Sequence, residues 1–140
     1  MRLNAIRTSS YAYYLGIIQS DEVTVLKPMQ FLVDTGSVCT VISAFYLENN
    51  FDCSRLQRGT DSMGVGGIEK TYLVHNAHLL LFTDDHKWHY IHKFDEMQVI
   101  PRTYAKGTKK VIPIPCLLGT DLIGKKYKLV YGKKEIFLQD

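Results

Sequence analysis

Apolar residues recur at every second position over much of the chain, and this period is typical of strands that bury one face. The clearest stretch precedes residue 34, where the apolar residues share one parity: Val23, Val25, Met29, Phe31 and Val33. Ser20-Asp21-Glu22 comes just before it and has the composition of a turn. The pattern predicts a β-hairpin from about Tyr11 to Val33, because the apolar stretches on either side of this turn can pair.

Further alternating stretches follow, bounded by glycine, proline or other turn residues. They predict strands over these ranges: Ile68–Phe82, Lys87–Phe94, Met97–Ile100, Val111–Ile114, Tyr127–Tyr131 and Glu135–Leu138. Two short helices are expected, one from a Ser43 cap through Ala44–Glu48 and one that begins at Thr120 or Asp121. We therefore expect a mostly β chain that forms a small closed or partly closed barrel with one or two short helices.

The chain has the size of one domain, with 140 residues of which 46% are apolar, and we assign residues 1–140 to a single unit. Its three cysteines show no Cys-x-x-Cys spacing, so the sequence predicts neither a disulfide framework nor a zinc ribbon. No run approaches the roughly 20 apolar residues that a membrane-spanning helix needs. These features favour a cytoplasmic protein without a membrane partner.

Charge is unevenly distributed along the sequence. Residues 101–140 carry nine basic and three acidic side chains, a net charge of +6, whereas the whole chain has a net charge of +3. The lysines stand mostly beside glycines, as they do in turns that keep strands soluble. A surface for nucleic acid or for an acidic partner is the alternative interpretation of this basic third.

An ionisable residue, Asp34, ends the apolar stretch Phe31–Val33 and is followed by Thr35-Gly36-Ser37. A carboxylate in apolar surroundings is costly unless it is hydrogen-bonded or used in chemistry, and Gly36 lets backbone amides approach it. The alternative is an aspartate that only stabilises a strand-to-turn junction, a common role of Asp-x-Gly. The tetrapeptide by itself leaves both interpretations open.

Asp34-Thr35-Gly36-Ser37 in this apolar setting resembles the catalytic signature of aspartic peptidases, and two further landmarks of that family follow in order. Gly64-Val65-Gly66-Gly67 resembles the tip of a flap, and Cys116–Ile123 is similar to the glycine-containing apolar segment before the family's short helix. The resemblance is to the single-lobed, retroviral-type (retropepsin-like) branch and spans about Val23 to Leu138. Since pepsin-type enzymes carry two such motifs and this chain carries one, the resemblance implies a homodimer.

The resemblance further implies an aspartic endopeptidase that hydrolyses peptide bonds in extended polypeptides, with one aspartate from each chain activating a water. The catalytic assignment covers Asp34, Thr35, Gly36 and Ser37. In it the threonine bonds across to the partner chain, while the glycine N–H and the serine hydroxyl donate to the carboxylate. Substrate binding is assigned to Gly64, Val65, Gly66 and Gly67. The alternative is a non-catalytic module that binds a peptide or nucleic acid on the same fold.

The sequence also departs from the most compact viral members of the family. Its extra length falls between Gly67 and Pro115 and includes the basic Arg102–Lys110 loop. Viral dimers are held partly by interleaved terminal strands, and the ends of this chain cannot be matched to that arrangement. The resemblance implies no cofactor, and nucleic acid is not the expected partner.

Histidines and cysteines are further candidate site residues. His86, His89 and His92 are spaced by three in a strand-like segment, so successive rings face opposite sides and no metal site is predicted. Cys39 and Cys116 flank the two motif loops and are expected to be buried, unreactive thiols.

Overall fold

A computed structural model describes residues 1–64 and 67–140 of the chain. Over these residues the chain forms thirteen strands and two short 3₁₀ helices, Ala44–Tyr46 and Cys53–Arg55. The strands are β1 (Arg2–Asn4), β2 (Ile6–Arg7), β3 (Ala12–Gln19), β4 (Met29–Val33), β5 (Val41–Ser43), β6 (Gln57–Arg58), β7 (Ser62–Gly64), β8 (Gly67–Glu69), β9 (Tyr72–Phe82), β10 (Trp88–Ile100), β11 (Cys116–Leu118), β12 (Lys128–Tyr131) and β13 (Ile136–Gln139). No helix within the described residues is long and apolar enough to cross a membrane.

Six strands close into a barrel. They are neighbours in the order β3-β4-β11-β5-β10-β9, and β9 pairs back onto β3 to complete the ring. Two of these pairings are parallel, β11 with β4 and β10 with β5, and the others are antiparallel. Closure gives each of the six strands a neighbour on both sides, which is the arrangement predicted from the alternating sequence.

The alternation explains which residues form the barrel core. Met29 and Phe31 on β4 are completely buried, as their shared parity predicts. On β3 the buried residues are likewise every second one, and they include Gly16, where a Cβ atom would lie 2.9 Å from the Leu80 carbonyl oxygen. Glycine at this position therefore allows β3 to approach β9 closely enough to close the ring.

A second, three-stranded sheet joins the two ends of the chain. Its order is β1-β13-β12, so the first strand of the sequence pairs antiparallel with the last. The Tyr14 hydroxyl on β3 donates to the Leu3 carbonyl oxygen at 2.5 Å and accepts the Leu138 N–H at 3.1 Å. This buried hydroxyl ties both terminal strands to the barrel, and the same burial raises the pKa of Tyr14.

Several strand predictions are confirmed, with corrections at their boundaries. The hairpins predicted over 11–33 and 127–138 are formed by β3 with β4 and by β12 with β13. The predicted strand Ile68–Phe82 is divided between β8 and β9, and the two predicted between residues 87 and 100 are one strand, β10. The polar pair Asp95 and Glu96 does not interrupt β10, because both side chains are exposed.

Two other segments lie where they were predicted but do not form the predicted type of element. Val111–Ile114 contributes a single bridge, from Val111 to Tyr104, rather than a strand, since Pro113 and Pro115 supply no N–H for a ladder. After Thr120 the chain makes two hydrogen-bonded turns, onto the carbonyl oxygens of Gly119 and Leu122, instead of a helix. The second short helix is Cys53–Arg55, capped by Asp52, which the sequence analysis did not identify.

Candidate active site

Asp34 lies directly after β4, where the strand gives way to a loop. Its backbone N–H donates to the Leu118 carbonyl oxygen at 3.1 Å and so continues the parallel pairing of β4 with β11. The loop then turns back, because the Ser37 N–H donates to the Asp34 carbonyl oxygen at 3.2 Å. The Gly36 N–H donates to the carboxylate Oδ1 at 2.9 Å. These bonds hold the half-buried carboxylate in a defined position at the end of a barrel strand.

The loop after β11 crosses the Asp34 loop at Gly119. A Cβ atom there would lie 2.8 Å from the Ser37 carbonyl oxygen and closer still to the carbonyl group of Cys39. Just beyond the crossing, the Thr120 N–H donates to the Ser37 carbonyl oxygen at 2.8 Å. Only glycine allows two backbones to approach this closely, so Gly119 in the segment Cys116–Ile123 positions the loop that carries Asp34.

Thr40 and Asp121 connect the two loops a second time. Asp121 accepts hydrogen bonds from the Thr40 N–H at 2.8 Å and from the Thr40 hydroxyl at 2.7 Å. The same hydroxyl accepts the Gly119 N–H at 3.1 Å. Sequence analysis missed this pair, although one signal was present. Thr40 interrupts an apolar run, and a buried polar side chain requires a partner.

The four motif residues have different environments. Thr35 and Gly36 are exposed, whereas Asp34 and Ser37 are half-buried. The Gly36 N–H reaches the carboxylate as expected, but the expected contact from Ser37 is wrong. The Ser37 hydroxyl donates to the Cys39 carbonyl oxygen at 2.7 Å. A hydroxyl has one hydrogen to donate, and the turn places this carbonyl two residues along the chain within its reach.

Thr35 lines an open cleft of about 750 Å³ at the base of the Asp34 loop. The other lining residues come from the turn after β11 and the adjacent ends of the terminal sheet: Ile123, Gly124, Lys125, Lys126, Tyr127, Lys128, Leu129, Gln139 and Asp140. The Lys126 ammonium donates to Nδ1 of His92 at 3.0 Å. Burial of the ring, and secondly the Lys126 charge, lower the pKa of His92. The predicted bond from Thr35 to a partner chain stays a prediction.

The predicted flap lies partly within the described residues. Gly64 and Gly67 belong to β7 and β8, which pair antiparallel with these two glycines opposite each other. Val65 and Gly66, the other two predicted substrate-binding residues, lie outside the described residues. The paired strands agree with the predicted pair of strand-like stretches around the glycines, and their binding of substrate stays a prediction.

The histidines bond to different partners and do not form a common site. His89 bonds to the Asp85 carboxylate at 2.8 Å, and His92 bonds to Lys126 as described above. Among residues 1–64 and 67–140, no three His, Cys, Asp or Glu side chains form a group that could hold a metal ion.

Burial raises the pKa of the Cys116 thiol to about 12. Cys39 is only half-buried, contrary to expectation.

Comparison with known proteins identifies the fold. No protein-family model matches the chain, and no curated protein matches it. Among solved structures it is similar to EIAV protease complexed with the inhibitor HBY-793, with 18% identity over 83% of this chain and 88% of that one, at a TM-score of 0.45. It is also similar to a retropepsin-like aspartic protease from Rickettsia conorii, with 15% identity over 99% of this chain and 97% of that one, at a TM-score of 0.53. The near-complete overlap with the second structure shows that this chain has the retropepsin-like fold.

Proposed function

We propose that the protein is an aspartic endopeptidase that acts as a homodimer, with one Asp34 from each chain in the active site. The observation that carries this proposal is the position of Asp34-Thr35-Gly36-Ser37 at the end of β4, on a barrel of the retropepsin-like fold. The carboxylate accepts a hydrogen bond from the Gly36 N–H, and contacts from Gly119 and Asp121 hold this loop in place. Such a preorganised acid is what general acid–base chemistry requires.

The chemistry explains why a second copy is needed. Hydrolysis of a peptide bond by this route uses two carboxylates that share one proton: one takes a proton from the attacking water, and the other donates to the scissile carbonyl. A single chain supplies one carboxylate, Asp34. Thr35 and Gly36 beside it are exposed, so this surface is available to a partner copy. Two carboxylates a few ångströms apart do not both ionise readily, so the dyad titrates as a coupled pair.

An extended polypeptide suits the proposed site. A chain bound between the Asp34 loop and strands β7 and β8 would satisfy its backbone groups by adding as a strand, and side-chain pockets would then select the sequence. Gly64 and Gly67 lie opposite each other in this strand pair, and glycine within a strand often marks a site where another backbone approaches closely. The alternative function is a module that grips a peptide or nucleic acid without cleaving it.

The experiment that separates these functions is digestion of an unfolded protein across a pH series by wild type and Asp34→Asn. We expect cleavage by wild type only, because the amide cannot act as the base. Asp95→Asn is the matched control, since it makes the same chemical change at an exposed position on β10. A pepstatin-type transition-state mimic should inhibit wild type. Equal cleavage by wild type and Asp34→Asn would refute the assignment.

A further inference from the structure

We propose that the hairpin between β10 and β11, residues 102–112, binds an acidic segment of the polypeptide substrate. We call it the basic hairpin. The inference rests on the proposed function for the nature of the substrate, and on the hairpin itself for the chemistry of binding. Residues 101–115 contain four basic side chains and no acidic one. The seven ion pairs among the described residues include none of the hairpin lysines: Lys106, Lys109 and Lys110.

The basic hairpin is an ordered element that stands outside the barrel ladder. Its arms are joined by the bond from the Ala105 N–H to the Lys110 carbonyl at 2.9 Å and from the Ile112 N–H to the Thr103 carbonyl at 2.7 Å. At its base, Arg102 donates to the carbonyl oxygens of Leu47, Glu48 and Phe51. Arg102 therefore fixes the hairpin in place, while the three lysines remain exposed and available to a ligand.

A cleft of about 590 Å³ lies between the basic hairpin and the segment that follows the first 3₁₀ helix. It is lined by Asn49, Arg102, Tyr104, Thr108, Lys109 and Val111. Tyr104 is 52% exposed and Ile112 is 40% exposed. Lysines alone would keep a turn soluble. In this cleft the Tyr104 ring adds an apolar contact for a bound chain, and the Asn49 amide adds a hydrogen-bonding group.

The distance to Asp34 favours a polypeptide as the ligand. Lys110 and Leu118 are eight residues apart, so they are separated by at most about 26 Å even in a fully extended chain. Leu118 is the residue whose carbonyl oxygen accepts the Asp34 N–H. A substrate that extends about eight residues from the cleaved bond covers the same distance. Glutamate or aspartate at that separation can therefore reach the lysines of the basic hairpin.

Binding is tested on Asp34→Asn protein, which keeps the ligand intact. The probe is a short fluorescein-labelled peptide rich in glutamate and leucine, measured by anisotropy. We expect the triple variant Lys106→Gln, Lys109→Gln, Lys110→Gln to raise the Kd about tenfold and to weaken its salt dependence. The matched control removes three exposed lysines elsewhere: Lys87→Gln, Lys133→Gln and Lys134→Gln. Its Kd should stay within about twofold of the parent.

Three outcomes overturn the proposal: no binding of the acidic peptide, an equal loss of affinity in the control variant, and tighter binding of a single-stranded oligonucleotide than of the peptide. The last outcome would assign the hairpin to nucleic acid. In the cleavage arm, the triple variant should raise KM, with kcat unchanged, for a peptide with two glutamates about eight residues from the cleaved bond. If wild type cleaves no peptide, the proposed function fails while the binding result still decides the role of the hairpin.

Discussion

Gly119→Ala is the substitution that most directly tests how the Asp34 loop is held. The new methyl group would lie 2.8 Å from the Ser37 carbonyl oxygen and nearer still to the carbonyl of Cys39, where ordinary contact begins at 3.4 Å. Both neighbours are backbone atoms in a loop that Thr40 and Asp121 also anchor. Neither can move away as a flexible side chain would, so one of the two crossing loops must shift.

The cost follows from this geometry. Overpacking against rigid surroundings costs about 1–3 kcal/mol of the free energy of unfolding. For a chain of 140 residues, each kcal/mol lowers Tm by roughly 4 °C, so a decrease of about 4–12 °C is expected. The shift also displaces the Asp34 carboxylate, so in the proposed peptidase kcat/KM should fall about tenfold or more.

Thermal and urea unfolding followed by circular dichroism measure this effect, with Gly132→Ala as the matched control. A Cβ at Gly132 meets nothing closer than the Glu135 carbonyl oxygen at 3.4 Å, which is an ordinary contact. The control should therefore change the free energy of unfolding by no more than about 0.5 kcal/mol. Equal Tm values for the two variants would refute the argument that the crossing at Gly119 requires glycine.

Other predictions test the surrounding contacts and the dimer. Thr40→Val keeps the side-chain shape but leaves the Gly119 N–H without its acceptor, so urea unfolding should show a loss of about 1–3 kcal/mol; an unchanged midpoint contradicts this. Hydrogen bonds lower the pKa of Asp85 to about 2; the bond from Thr83 has the largest effect, and the bond from His89 the next largest. The stabilisation that they give the folded protein is therefore present above the unfolded-state pKa near 4 and is lost as pH falls through about 2. Thr83→Val should raise this pKa in an NMR titration, and a constant pKa would show that the hydroxyl is not responsible. Specific activity should fall on dilution and on adding excess Asp34→Asn protein, whereas full activity at limiting dilution would exclude a dimeric site.

Local sequence was sufficient to predict the strands whose signal is repeated along one segment. Met29 and Phe31 are buried because side chains alternate across a strand, and that alternation is visible without knowledge of any partner. The hairpin of β12 with β13 follows similarly from two apolar stretches around a short turn. The Asp34 motif could be located for the same reason, since its four residues are consecutive and the Gly36 contact is formed within the loop itself.

Contacts between distant parts of the chain were not predictable in this way. Leu3 pairs with Leu138, and nothing in the short stretch Arg2–Asn4 indicates where its partner lies. Asp121 lies in the third motif, Cys116–Ile123, and nothing in that segment indicates that its carboxylate receives two hydrogen bonds from Thr40. The strand pairing and the Asp121 hydrogen bonds both depend on how the closed barrel brings distant segments together. The pattern of residues within one segment does not encode this.

The sequence by itself determined the mostly β class of fold and the position of the predicted catalytic aspartate, since these depend on local periodicity and on consecutive residues. Tertiary structure decided which contacts hold the Asp34 loop in place and which acceptor the Ser37 hydroxyl bonds to. The Ser37 hydroxyl could donate to the carboxylate or to a backbone carbonyl, and the turn geometry selects the Cys39 oxygen. The pairing of β1 with β13 was likewise settled only when barrel closure placed the two ends of the chain side by side, where the buried Tyr14 hydroxyl bonds to both.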